Sequence, residues 1–241
     1  MSMVQKNQSG LSRSLYQFLY VNYTKFQIQM LNVQVFTYNP FQENTYLIIN
    51  AEKQCWIVDP GMYGSGEVKH FIDFLTKNEL QPQAIINTHA HIDHILGVQA
   101  LIDKYNIPFS IHNKEQPVLD NAQISAAMFG FDIGKAPTPD SYIDENETIM
   151  LGEDMIEVRF TPGHSPGSVI FYYKPGNWVI CGDVLFSGSI GRTDLPGGNF
   201  DILINSIRNQ LFTLPDDTLI LPGHGPSTNI KIEKNSNPFL Q

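Results

Sequence analysis

The sequence predicts an α/β fold in which two β-sheets pack together and are covered by helices. Three observations lead there. From Leu31 onward, short apolar strand-like runs alternate with segments of helical period. The chain has 241 residues, enough for one large domain with a substantial core. The strand-like runs end repeatedly in turns that carry histidine or aspartate, the arrangement by which a rigid sheet presents several side chains to one point.

In chain order, Leu31 to Phe36 is the first strand pattern and Phe36 to Glu43 a loop. Thr45 to Ile49 and Cys55 to Val58 form a hairpin, closed by the turn residues Asp59-Pro60-Gly61. Gly66 to Asn78 is helical, with Val68, Phe71, Ile72 and Leu75 on one face. Ala84 to Ile86 is a strand, Ile95 to Tyr105 a helix and Pro108 to Ile111 a strand. Residues 113 to 145 form a less regular insert, with a helix at Ala122 to Met128 and a Pro-containing loop at Gly134 to Ser141. Strands follow at Thr148 to Leu151, Met155 to Phe160, Ser168 to Tyr173 and Trp178 to Cys181. A helix at Asp201 to Leu211 precedes the last strand, Thr218 to Leu221.

Residues 1 to 30 read differently. They are rich in Gln, Asn, Ser and Tyr, and the domain of residues 31 to 241 does not need them. They are expected to be a poorly ordered extension, or a consequence of start-codon choice with Met30 the true start. The other reading is a helix docked through Leu15, Phe18, Leu19 and Phe26.

The formal charge of −9 argues against nucleic-acid binding through a basic face. No apolar run of membrane-spanning length occurs, and the N-terminus has no secretory-signal pattern. Two cysteines, Cys55 and Cys181, lie in apolar runs and read as buried reduced thiols rather than a disulfide framework, which fits the cytoplasm.

The chemistry concentrates in Thr88-His89-Ala90-His91-Ile92-Asp93-His94, between a buried strand and a helix. On extended chain, residues i and i+2 point the same way, so His89 and His91 can grip one ion. Asp93 and His94 lie where the chain turns and can aim at a neighbouring point. Three more strand ends carry ligands, at Thr161-Pro162-Gly163-His164, Gly182-Asp183 and Pro222-Gly223-His224-Gly225. Five of the seven histidines fall in these motifs; His70 reads as a surface residue, and His112 ends a strand without a partner in them. His89, His91 and His164 supply three nitrogens, the number a catalytic zinc takes while keeping a position open. Asp93, His94 and His224 supply a second set, and Asp183 can bridge. Two divalent ions, two aspartates and a shared hydroxide leave a small positive charge, suited to an anionic substrate. A water shared by two metals becomes a nucleophile near neutral pH. With no thiolate among the ligands, zinc comes first and iron or manganese is admissible. Asp59 reads as a supporting residue that accepts a hydrogen bond from a ligand imidazole, or as a turn cap.

These residues resemble the metallo-β-lactamase fold hydrolases. The family motif His-x-His-x-Asp-His is complete as His89, His91, Asp93 and His94, and the later family ligands match His164, Asp183 and His224. The resemblance covers residues 31 to 241 and implies a four-layer αββα sandwich with two metals at one edge of the sheets, the two aspartates Asp93 and Asp183 acting with a metal-bound hydroxide. The segment Gly188-Ser189-Ile190-Gly191-Arg192-Thr193-Asp194 and the ending Asn237-Pro238-Phe239-Leu240 are similar to the glyoxalase II-like branch, whose members hydrolyse thioesters such as S-lactoylglutathione. Only 17 residues follow His224, so the likeness is to short bacterial members without a C-terminal helical domain. That domain supplies much of the glutathione pocket in the longer enzymes.

One argument for a thioester is independent of resemblance. Nearly every titratable residue in the motifs is used as a ligand or its support, leaving few general acids. A thiol leaves as a thiolate with a pKa of roughly 8.5 and needs little help, whereas an amide nitrogen needs a proton. Arg192 suits a substrate carboxylate, or an ion pair with Asp194. Met128, Phe129 and Phe131 either line the pocket mouth or pack as core or lid. Alternative activities are a persulfide dioxygenase with one iron on His89, His164 and Asp183, and a lactonase; a non-catalytic metal-binding module is the remaining class.

Overall fold

The computed structural model describes residues 30–145 and 147–241, and the expected extension lies outside the described residues save Met30. Leu31–Gln241 forms one compact unit. Its first sheet runs in chain order: β1 (Asn32–Tyr38), β2 (Glu43–Ile49), β3 (Gln54–Val58), β4 (Gln81–Ile86), β5 (Phe109–His112) and β6 (Ser141–Ile143). The first three strands are antiparallel neighbours and the last three run parallel to β3. The second sheet contains β7 (Thr148–Leu151), β8 (Asp154–Phe160), β9 (Val169–Tyr173), β10 (Trp178–Gly182), β13 (Leu219–Pro222) and β14 (Thr228–Asn229), in the order β14-β13-β10-β9-β8-β7. A separate two-residue ladder joins β11 (Leu185–Phe186) to β12 (Ser189–Ile190).

Alternation along the strands makes three apolar layers. Tyr46, Ile48, Val58 and Ile86 of the first sheet meet Val169, Phe171, Tyr173 and Ile180 of the second between the sheets. The opposite faces carry Leu47, Cys55, Ile57 and Ile85 on one side and Ile170, Tyr172, Val179 and Cys181 on the other. Each outer face is closed by helices. Helices α1 (Gly64–Lys77) and α2 (Val98–Tyr105) cover the first sheet with Phe71, Leu75, Val98 and Leu101. The second is covered by Leu203 and Ile207 from α5 (Phe200–Ser206) and the π-helical turn Ile207–Leu211. Because both faces are covered, β9 and β10 are buried at every position and read in the sequence as continuous apolar runs. This is the four-layer αββα arrangement, an α/β fold.

Several boundaries move. The loop expected at Phe36 to Glu43 shrinks to Asn39–Gln42, because β1 and β2 pair as far as Tyr38 and Glu43. The helix expected from Ile95 begins at Val98, after a 3₁₀ turn at Ile92–His94. The insert holds a further short helix, α3 (Gln116–Asp120), before α4 (Ala122–Met128), and its loop leads into the edge strand β6. A final helix, α6 (Ile230–Ser236), starts on an Asn229 cap whose side chain accepts from the Ile232 amide at 2.9 Å.

Candidate metal centre

The strand ends place the candidate ligands on one edge. Thr88–His94 leaves β4, His164 follows β8, Asp183 follows β10, and His224 follows β13. His89 Nε2, His91 Nδ1 and His164 Nε2 converge: His164 Nε2 lies 2.8 Å from His91 Nδ1 and 3.3 Å from His89 Nε2. Nitrogens on one tetrahedral zinc stand about 3.3 Å apart, given bonds of about 2.0–2.1 Å. A second set gathers Asp93, His94 and His224, with Asp93 Oδ2 at 3.1 Å from His224 Nε2 and 3.8 Å from His94 Nε2. Asp183 lies between them. Its Oδ2 is 3.6 Å from His164 Nε2 and 3.5 Å from His224 Nε2, while Oδ1 is 3.4 Å from His94 Nε2.

Hydrogen bonds on the far side of four of the five rings, all but His91, aim a free lone pair inward. His164 Nδ1 donates to the Arg192 carbonyl at 2.8 Å and His224 Nδ1 to the Phe41 carbonyl at 3.0 Å. His94 Nδ1 donates to Asp59 Oδ2 at 3.2 Å. His89 Nδ1 donates to Thr88 Oγ1 at 3.0 Å, and that hydroxyl in turn donates to Asp59 Oδ2 at 2.5 Å. One buried carboxylate thus steadies a ring from each set. Asp59 does so from a left-handed backbone conformation, φ +50°, held by its Oδ1 accepting the Thr88 amide at 2.7 Å.

Two buried atoms in this centre, His94 Nε2 and Asp183 Oδ1, have no hydrogen-bond partner. Buried polar atoms are rarely left alone, and both are donor atoms a cation would satisfy. The electrostatics agree with cation binding. Burial, reinforced by neighbouring imidazoles, holds His89 well below the usual histidine range and His91 at about 3, so both rings present neutral nitrogen. Burial opposes charge on Asp183, but the imidazoles around it, His94 first, keep its carboxyl well below the usual range and therefore ionised. The residues present fit two divalent ions.

Close backbone approach makes this possible. A side chain at Gly223 would collide with Asp183 Oδ1 and His94 Cε1, so only glycine can precede His224 here. The His224 turn is also tied across to the first sheet: the Asn44 amide donates to the Gly223 carbonyl at 2.7 Å and Tyr46 Oη to the Pro222 carbonyl at 2.7 Å.

Sequence reasoning missed the strongest support. Glu115, fully buried in the insert, accepts the Ala90 amide at 2.8 Å, the Gly167 amide at 2.6 Å and the Ser165 hydroxyl at 2.6 Å. Ala90 lies between His89 and His91, and Ser165 follows His164, so Glu115 clamps both loops of the first set. Burial raises its proton affinity, against the pull of these donors. A charged residue in a polar stretch, Asn113 to Gln116, carries no sequence signal that it will be buried. Glu43 is likewise buried, 3.9 Å from His94 Nδ1, and burial pushes its carboxyl well above the usual range.

The centre opens into a cleft of about 1270 Å³ bordered by His91, Asp93, His164, Asp183 and His224. Arg192 also borders it, but its guanidinium forms a bidentate pair with Asp194 at 2.8 and 2.7 Å. Met128 and Phe129 line the cleft and are exposed, whereas Phe131 is buried in the core behind them. The Gly188–Asp194 segment and the chain's ending meet: Asn237 Nδ2 donates to the Ser189 carbonyl at 3.0 Å, bracing the β11–β12 turn beside the cleft. His70 is exposed, its Nδ1 2.9 Å from Tyr38 Oη, and His112 stacks on Phe160 away from the centre. Cys181 packs in the outer core with its thiol directed at the Leu185 carbonyl, 3.2 Å away.

The αββα architecture with histidine and aspartate clusters at one sheet edge is that of the metallo-beta-lactamase superfamily. The superfamily model matches residues 38–224, and the chain belongs to this family. Among its relatives, "Probable metallo-hydrolase YqgX" of Bacillus subtilis is 43% identical over 83% of this chain and 93% of that protein. "Hydroxyacylglutathione hydrolase GloC" of Haemophilus influenzae is 35% identical over 87% of this chain and 98% of its own length. Two solved structures are similar over their full length. BLEG-1, described as a B3 metallo-beta-lactamase, has a TM-score of 0.81 at 40% identity over 87% of this chain. TTHA1623, solved in a di-iron-bound form, has a TM-score of 0.78 at 37% identity over 86% of this chain.

Proposed function

We propose that this protein is a dinuclear metal-dependent hydrolase that cleaves thioesters of the S-lactoylglutathione type. One ion would be held by His89, His91 and His164, the other by Asp93, His94 and His224, with Asp183 shared. Bound there, divalent ions would activate water and polarise the substrate carbonyl. Zinc is the first expectation from the ligand set; the di-iron relative supports iron as well.

The protein's own groups do the rest. Asp59, through His94 and the Thr88 hydroxyl, holds two ligand rings in one tautomer. Asp93, whose Oδ2 is tied to His224, borders the cleft, where its other oxygen would orient the attacking water. Water gives one proton to solvent and its oxygen joins the carbonyl carbon; the C–S bond breaks with its electron pair on sulfur, and the second water proton ends on that thiolate, so carboxylate and thiol leave.

The observation that carries the thioester reading is the cleft lining. Every imidazole and carboxylate in it belongs to the two clusters or is the Asp183 between them, no tyrosine, cysteine or glutamate lines it among the described residues, and its one lysine, Lys114, sits at the edge paired with Glu145 at 2.8 Å. A leaving group that departs without a dedicated acid is therefore favoured, and thiolate is such a group. The name of the GloC relative supports the same reading. Two buried reduced thiols support a cytoplasmic location; among the described residues no helix is long and apolar enough to cross a membrane.

The test is a panel on protein of known metal content: S-lactoylglutathione and other thioesters, a lactone, a β-lactam, and glutathione persulfide with an oxygen electrode. Thioester turnover well above the others is expected. Faster β-lactam cleavage, or oxygen uptake with one iron per chain, would refute the proposal.

A further inference from the structure

The wall of the cleft is apolar in a way that catalysis does not require. Helix α4 buries Ala122 and Ala126 and turns Ile124 and Met128, one helical turn apart, outward into the cleft, where they remain 65% and 80% exposed. Phe129 (51% exposed) and Phe41 (39%) continue the wall, their rings 5.3 Å apart edge to face, and Phe41 packs back at a tilt on Phe131 of the core, 5.6 Å between ring centres. Phe186 and Ile190 border the same cleft. The Phe41 carbonyl holds His224, so the aromatic wall begins at the candidate metal centre itself.

Charge is scarce on this surface. Its two cations, Arg192 and Lys114, sit at the solvent edge, and each is already paired: Arg192 with Asp194 at 2.7 Å and Lys114 with Glu145 at 2.8 Å. A carrier rich in carboxylates or phosphates meets no uncommitted cation among the described lining residues. The cleft also exceeds the roughly 300–1,000 Å³ usual for small-molecule sites.

We infer that the substrate is a thioester carrying an extended apolar arm, aliphatic or aromatic, which lies along Phe41, Ile124, Met128 and Phe129 while its carbonyl reaches the centre. The inference rests on the thioester reading above: it keeps the reaction and replaces the lactoyl group or the glutathione carrier with an apolar arm. The occupant is a substrate rather than a docked protein because the wall is continuous with the ligand loops, inside one concave cleft.

Two series on the metal-loaded enzyme test it. One lengthens the acyl chain on a single small uncharged thiol; the other lengthens the thiol's alkyl chain on an acetyl group, and shows which end carries the arm. One series is expected to gain about fourfold in kcat/KM per added methylene until the wall is covered. Met128→Ser and Phe129→Ser should each flatten that gain. Calorimetry with non-hydrolysable S-alkyl thioethers supplies a readout without turnover: affinity rising with chain length and a negative heat-capacity change. Flat series with S-lactoylglutathione still cleaved would overturn the inference and leave the thioester proposal standing. Failure to cleave any thioester would refute that proposal, and chain-length-independent thioether binding would then overturn the inference too. A stable dimer that shields Ile124 and Met128 from solvent would also overturn it, by assigning the wall to a second copy.

Discussion

Glu115 is where a single residue decides the most. Its carboxylate receives two backbone amides and one hydroxyl from the loops that carry His89, His91 and His164. A glutamine there would turn an NH₂ group toward an N–H donor, leaving one of them unpaired in the interior. Glu115→Gln is expected to weaken metal binding at the first set on the order of 10- to 100-fold, as loss of such support does elsewhere. Competition with a chromophoric chelator measures this, and unchanged affinity would show the clamp to be idle. The seven candidate ligands were legible because each is a polar residue placed after an apolar strand, and the chain brings all seven to one edge. Glu115 and Glu43 were not legible. Their partners are set by folding, across 50 residues in the case of Glu115 and Ser165, and nothing local marks a buried acid.

The elements that present the ligands divide the centre into two electrostatic halves. The histidines after β4 and β8 (His89, His91, His164) are all held below their usual range, burial being the main cause. His94, on the 3₁₀ turn, and His224, after β13, are raised: burial opposes this, but Asp183 and Asp93 outweigh it. A raised value means that a proton competes for the ring nitrogen at higher pH, and a lowered value means that it competes only in stronger acid. Dialysis from about pH 8 to about pH 5 should therefore empty the second set first, taking the metal content from two per chain through one. Loss of both ions in a single step, or of the first set's ion first, would contradict this. At the same scale, the long strands and α4 were evident from periodicity. The two- and three-residue strands β6, β11, β12 and β14 were not, because pairing with neighbours rather than local pattern defines them.

For the whole molecule, the three apolar layers explain why the sheets hold the ligand loops rigidly. Cys55 and Cys181 report on them from opposite outer layers. Both are fully buried, and burial raises each thiol to about 12. Neither should react with a thiol reagent at neutral pH in the native protein, and both should react after unfolding. Rapid native labelling of either would mean that its layer opens readily. Two packed sheets covered by helices were visible in the alternation of strands and helices, the four-layer αββα arrangement followed from the family resemblance, and the order of the second sheet was not visible. There β10 pairs with β13 across a helix and a long connection, a choice made by packing.

The account depends most on two ions sharing Asp183. Metal content and thioester turnover, measured on the same samples of wild-type protein and His91→Ala, test it most directly. Two ions per wild-type chain with thioester turnover, and loss of the first-set ion together with turnover in His91→Ala, are predicted. Near-normal turnover in His91→Ala, or full activity with a single ion per wild-type chain, would contradict it.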